Sequence, residues 1–322
     1  MKAAMIFLAG AALVCVPAPA CAADYPSKPI TLMIGFAPGG PSDVMARILT
    51  KKMEEILKQP LVIENRAGAG GSIAGAAVAR AAPDGYTVLL ATGSLLAINV
   101  SLYKNVGYDP EKDFEPIGLI GTQTNVLYLN PSVPATSLGE LIAYAKANPG
   151  KLSFGSGGNG TPAHLAGELL KLEAKIDITH VPFRGTGPAL QAVIGGHVPM
   201  AFNPPSPLLP HIQSGTIRAL AVTTLKRTEV LPEVPTIAES GFPGFEATTW
   251  HALVAPAGTP KDVIATLHRA TAATVNDPPV RKALTDLGVD VVGGTPEELR
   301  AYVKSEIPKW AEVVRASGAK VD

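Results

Sequence analysis

The feature that most limits the folds open to this chain is one local device used more than once. A short apolar run enters a glycine- and proline-rich loop, and an amphipathic helix follows. Residues 30–36 form such a run and lead into Ala37-Pro38-Gly39-Gly40-Pro41-Ser42-Asp43. After that loop Met45, Leu49, Met53 and Ile56 recur at helical spacing. Residues 152–155 repeat the pattern with Ser156-Gly157-Gly158-Asn159-Gly160-Thr161-Pro162, followed by Leu165, Leu169 and Leu172. Shorter versions are Gly68-Ala69-Gly70-Gly71-Ser72 and Arg184-Gly185-Thr186-Gly187-Pro188. Further strands are predicted at 61–64, 87–91, 178–181, 200–202, 219–222 and 252–255. Ser137 with Glu140 and Thr295 with Glu298 have capping-box spacing, and Pro162, Pro260 and Pro296 suit a first helical position. Such alternation implies an α/β fold with mostly parallel sheets flanked by helices.

At 322 residues the chain is long enough for two lobes with their own cores. Extended apolar stretches around 121–130 and 248–255 are the expected crossings between them. They would divide the chain into 25–123 plus 250–295 and 124–249 plus 296–322.

With 27 basic and 27 acidic residues, and neither sign in a block, no nucleic-acid footprint or basic membrane patch is expected. Lys2, the apolar stretch 3–16 and Ala20-Cys21-Ala22 make a secretory signal over 1–22. That stretch is too short for a permanent anchor, so no membrane insertion of the mature chain is expected. Cleavage after Ala22 removes Cys15 and Cys21 together. In a rival reading Cys21 carries a lipid, although Ala18 stands where such signals usually have Leu.

The chemistry expected of the loops is anion binding. Glycine lets a backbone approach a ligand closely, and a helix start leaves N–H groups unpaired at the positive end of its dipole. In open α/β sheets ligands bind beyond the carboxyl ends of the strands, where these loops lie. The candidate ligand-binding residues are therefore Phe36, Pro38, Gly39, Gly40, Ser42 and Asp43 in the first loop, with Ser94 after the run 87–91. In the second half they are Gly157, Gly158, Asn159, Thr161 and His164, then Arg184, Gly185, Gly187 and Asn203. Asp43 reads first as a cap and loop organiser. Arg184 could pair with a second carboxylate or stay solvated. Asn203 and Ser206 are weaker polar candidates of the same kind, and Phe36 and Phe183, each ending a strand beside such a loop, could wall a pocket.

Enzyme signatures fail on inspection. In Gly68-Ala69-Gly70-Gly71-Ser72-Ile73 the third glycine of a dinucleotide fingerprint is replaced by Ile73, and no glycine loop ends in Gly-Lys-Ser or Gly-Lys-Thr. Ser94, Ser156 and Ser240 lack the glycine pair of a nucleophile elbow. The histidines 164, 180, 197, 211, 251 and 268 show no metal spacing. No cofactor and no metal are expected. A hydrolase or lyase using His164 and Asp43 as acid–base pair, and an acid-sensing receptor for a signalling partner, are the competing functions.

An ordered set of segments resembles the tripartite tricarboxylate transporter substrate-binding family, the Bug-type periplasmic receptors. These are Phe36 to Asp43 with Ala46-Arg47, Glu64 to Gly71, Pro83-Asp84-Gly85-Tyr86, Gly155 to Thr161 with His164-Leu165, and His180 to Gly185. The resemblance spans the whole mature chain. It implies a two-lobed flytrap fold, and a small carboxylate held largely by backbone N–H groups and ordered waters. It also implies a monomer in the periplasm that delivers its ligand to membrane transporter subunits. Carried over, the binding loops are 36–43 and 157–164, with 184–187 in support. Gln191 stands where the family often has an acidic residue, and Pro199 where it commonly has a polar one; both departures bear on the ligand.

Overall fold

The run at 30–36 becomes strand β1 (Ile30–Ile34), fully buried except for a half-buried Thr31, and stops at Gly35. The helix that follows, α1 (Pro41–Leu57), turns Met45, Leu49, Met53 and Leu57 inward and leaves Ile56 exposed. In chain order come β2 (Leu61–Asn65), α2 (Ser72–Ala79), β3 (Thr87–Thr92), a π-helical turn Ser94–Ile98, α3 (Asn99–Leu102) and β4 (Phe114–Gln123). Next are β5 (Val126–Leu129), α4 (Leu138–Ala147), β6 (Leu152–Ser156), α5 (Pro162–Ala174), β7 (Ile178–Pro182) and α6 (Thr186–Ile194). After them lie β8 (Met200–Asn203), α7 (Leu209–Gln213), β9 (Arg218–Val222), β10 (Thr249–Pro256), α8 (Lys261–Asn276), α9 (Pro278–Asp286), β11 (Val289–Gly294) and α10 (Pro296–Ser317). This computed structural model describes residues 25–183 and 185–319, so the predicted signal segment and Arg184 lie outside the described residues.

The strands form two sheets, in the orders β11-β4-β10-β3-β1-β2 and β7-β6-β8-β5-β9. This is the expected two-lobed α/β architecture, with a parallel core in each sheet: β1 with β2 and β3 in one, β6 with β7 and β8 in the other. Antiparallel strands complete both sheets. The chain leaves the first sheet through Thr124 and Asn125 and re-enters it at Thr249. The returning β10 slots between β3 and β4, antiparallel to both. Sequence alternation could not foresee this, because β10 is placed by a crossing from the other lobe and not by its neighbours in sequence.

The crossing strands are fixed firmly. Asn125 N donates to Thr223 Oγ1 at 2.9 Å and Thr223 N to Asn125 O at 3.0 Å. Trp250, fully buried on β10, donates to Glu306 Oε2 of α10 at 3.3 Å, and Trp310 donates to the same oxygen at 2.8 Å. A buried carboxylate paired this way also needs Lys309, whose Nζ lies 2.7 Å from Oε1. The full capping box at Thr295 and Glu298 starts α10, as its spacing predicts. Ser137 caps α4, but Glu140 reaches back to Thr136 instead of Ser137. Pro260 precedes α8 as its N-cap, one position earlier than expected.

Candidate functional site

Between the lobes lies a cleft of about 890 Å³, lined by the first-lobe loop from Phe36 to Ser42 and by Gly157, Asn159, Gly160 and Thr161 of the second. Each loop reaches the cleft because a parallel strand ends there and a helix begins. The two starts are built differently. At α5, Thr161 Oγ1 accepts from His164 N at 3.3 Å, so one helix-start amide is satisfied internally. At α1 the N-cap is Gly40, which has no side chain to offer. The amides of Ser42 and Asp43 have no partner among the described residues, and Pro41 contributes none. These are the donors and the dipole end that suit an anion. Helix α6 likewise starts at a glycine, Gly185, without a side-chain cap.

Asp43 holds this loop and does not line the cleft. Its buried carboxylate accepts from Gly39 N at 3.0 Å, from Arg47 at 2.8 and 3.1 Å, and from Asn65 Nδ2 at 3.1 Å. Arg47 first, then the Gly39 amide and Asn65, hold its pKa down to about 2 against the opposing effect of burial. Close approach explains a glycine below it: a Cβ on Gly35 would lie 2.5 Å from Gly71 Cα, so the first-lobe loops meet backbone to backbone. Asn99 Nδ2 ties the second of them by donating to Gly70 O at 3.0 Å and Ser72 Oγ at 2.9 Å.

His164 braces the second-lobe loop from behind. Its Nδ1 accepts from Gly160 N at 3.1 Å, and its ring stacks on His180 with centroids 3.9 Å apart. His180 Nε2 lies 2.7 Å from Ser156 Oγ, which also bonds both backbone groups of Gly158. Burial pushes the pKa of His164 down to about 4; burial, then the neighbouring His164, pushes His180 to about 3. Both rings are therefore neutral, as acceptor geometry at His164 Nδ1 requires. Asn203, fully buried, bonds Tyr128 Oη at 2.9 Å and Thr186 O at 3.1 Å, so it fixes the start of α6.

Of the residues singled out in the sequence, the cleft gathers Phe36, Pro38, Gly39, Gly40, Ser42, Ser94, Gly157, Asn159, Thr161 and Gly185. Asp43, Gly158, His164, Gly187 and Asn203 are absent from its lining, and the first, third and last of these support lining groups from beneath. The acid–base pair considered for a hydrolase is accordingly committed elsewhere, Asp43 to its loop and His164 to Gly160. Sequence reasoning missed Gln123, Asn125, Thr249 and His251, which come from the crossing strands, and Asn99, Leu102 and Tyr103 after β3. The carboxyl-end rule applied to β3 offered a signal for the latter group; for the former the sequence marked 121–130 and 248–255 as crossings, but nothing in it showed which of their side chains meet the cavity. Among the described residues no three His, Cys, Asp or Glu side chains gather as a metal site, and no helix is long and apolar enough to cross a membrane.

Two α/β lobes closing a cleft lined by glycine loops and open helix starts define a solute-binding protein. A family model described as the tripartite tricarboxylate transporter family receptor matches residues 45–319, and the chain belongs to that family. It is a binding receptor, not an enzyme. It is 40% identical over 317 residues to protein BugT of Bordetella pertussis, covering 98% of this chain and 96% of that one. Among solved structures, periplasmic binding protein BugD is 38% identical with a TM-score of 0.75, covering 92% of this chain and 99% of its own. Rpa4515 of R. palustris, solved with adipate, is 36% identical with a TM-score of 0.78 over 92% and 99%. MatC from Rhodopseudomonas palustris, with bound malate, is 36% identical with a TM-score of 0.75 over 90% and 100%.

Proposed function

We propose that this protein captures a small organic carboxylate in the periplasm, between its lobes, and presents it to a tripartite tricarboxylate-type membrane transporter. The observation that carries the reading is the open start of α1, where Ser42 lines the cleft and the Ser42 and Asp43 amides have no partner among the described residues. Relatives solved with adipate and malate support the ligand class, the family description supports the transporter partner, and the signal pattern over 1–22 supports the compartment.

We take the lobes as 25–123 with 250–295 and as 124–249, in keeping with which strands share a sheet. The remaining helix α10 runs along β4 and α3 of one lobe and α5 of the other. In the open form the α1 loop offers its amides to the carboxylate. The second-lobe loop then closes over the ligand, and the ligand shifts this equilibrium only through contacts it makes in the closed form. The loops 36–43 and 157–161 form the two jaws, with Asp43 and His164 holding them in shape, and 185–187, fixed through Asn203, flanking. One monomer suffices, since both jaws come from one chain.

A thermal-shift panel of carboxylic acids tests this. An acid at 100 times its dissociation constant adds about 2.7 kcal/mol of stability. Recovery of the acid unchanged, with a raised melting temperature, is the expected result. Turnover, or a panel without any shift, would refute the reading.

A further inference from the structure

The floor of the cleft is made by the two crossing strands. Thr249 pairs with Gln123 and His251 with Gly121, and Gln123, Asn125, Thr249 and His251 all line the cavity. Their polar neighbours are mostly engaged. Gln123 Nε2 donates to Leu287 O at 2.8 Å, and Thr92 Oγ1 accepts from Leu95 N at 3.4 Å. Two groups are not engaged. Asn125 and His251 are 1% and 2% exposed, and Asn125 Nδ2 and His251 Nδ1 have no hydrogen-bond partner among the described residues. Buried polar atoms left unpaired destabilise a fold, so two of them on residues that line a binding cavity point to a ligand group that satisfies them.

The charge of the site narrows that group. No Asp, Glu, Lys or Arg lines the cleft among the described residues. Burial pushes His251 down to about 4, so the floor is uncharged at neutral pH. It offers hydrogen bonds without a counter-charge. The helix-start amides at the α1 loop already suit the carboxylate, and the floor meets a different part of the same molecule.

Resting on the carboxylate-receptor reading above, we propose that Asn125 and His251 form a second subsite that recognises an uncharged oxygen of the bound acid, a hydroxyl or carbonyl remote from the gripped carboxylate. The amides then account for the class of ligand, and the floor for the choice within it. A buried donor aimed at a ligand oxygen discriminates strongly against the analogue lacking it, because the protein groups are then stranded again.

The purified protein is titrated calorimetrically with three pairs of acids differing by one oxygen: malate and succinate, 4-hydroxybutyrate and butyrate, 4-hydroxybenzoate and benzoate. In each pair that binds, the oxygen-bearing acid is expected to bind about tenfold tighter or more. That preference should fall to near parity in Asn125→Leu and in His251→Phe while the plain acid keeps its affinity. Equal affinity within the pairs overturns the floor subsite and leaves the carboxylate receptor standing. Silence from all six acids removes both. Should either variant fail to fold, the ratio within each pair for the unaltered protein decides the matter by itself.

Discussion

Gly160 sits in the second-lobe jaw with φ +73°, and a Cβ there would lie 2.4 Å from Leu102 Cδ2 of the first lobe. Replacing it with alanine separates two effects. The left-handed backbone costs an L-residue about 1–2 kcal/mol whether or not ligand is present, and lowers the melting temperature by a few degrees. The overlap arises only when the jaw lies against Leu102. Ordinary contact begins about 1 Å further out, and Leu102 is 5% exposed within the main apolar core, so it yields only by repacking. Overpacking of that kind costs about 1–3 kcal/mol. The dissociation constant of an acid bound by the native protein should therefore rise about 5- to 150-fold in Gly160→Ala. Leu102→Val shortens the opposing side chain and should return affinity to within about threefold in the double variant, a coupling that a cycle of the four proteins measures. Calorimetric titration gives all four constants. An unchanged constant in Gly160→Ala, or no recovery in the double variant, would show that the bound state does not press these residues together.

Other consequences concern the groups behind the jaws. His164, His180 and His251 have folded pKa values of about 4, 3 and 4, below the ordinary 6.5, so the unfolded chain takes up protons first on acidification. Their contribution is complete above pH 6.5 and drains away as the pH falls towards 4, with His164 alone worth about 3 kcal/mol. Melting temperatures that stay level between pH 7 and 4.5 would contradict this. Asp43 acts in a lower window, its stabilisation being present above the ordinary carboxylate range and lost as pH falls through about 2. Asp43→Asn turns a donor towards the Gly39 amide and Arg47; a loss of about 2 kcal/mol on chemical denaturation and weaker acid binding are expected, whereas tighter binding would mean that Asp43 repels the ligand directly. Glu306→Gln offers one acceptor where Trp250, Trp310 and Lys309 converge, and should cost about 1–3 kcal/mol by the same measurement.

Much of this protein is written in local pattern. The short apolar run of β1, the period near 3.6 in α1, the glycine pair Gly39-Gly40 before Pro41 and the caps at Thr161 and Thr295 depend on neighbours within a few residues. They sufficed to locate the two glycine loops that line the cleft and to point to helix-start amides as donors suited to an anion. Asp43 as loop organiser was legible too, since its partners Gly39 and Arg47 lie four residues away on either side. The floor was not. Asn125 and His251 stand 126 positions apart in the numbering and meet the same cavity only because β10 returns from the other lobe to lie against β4. The stacking of His164 on His180 is decided in the same way, by the parallel pairing of β6 with β7 that brings the ring of His180 up to α5. Sequence determined which segments would be strand, loop and helix, because those choices are settled by short-range sterics and hydrogen bonding. Tertiary structure decided which side chains share a cavity and which of them remain unpaired, because burial and pairing across strands belong to no single segment.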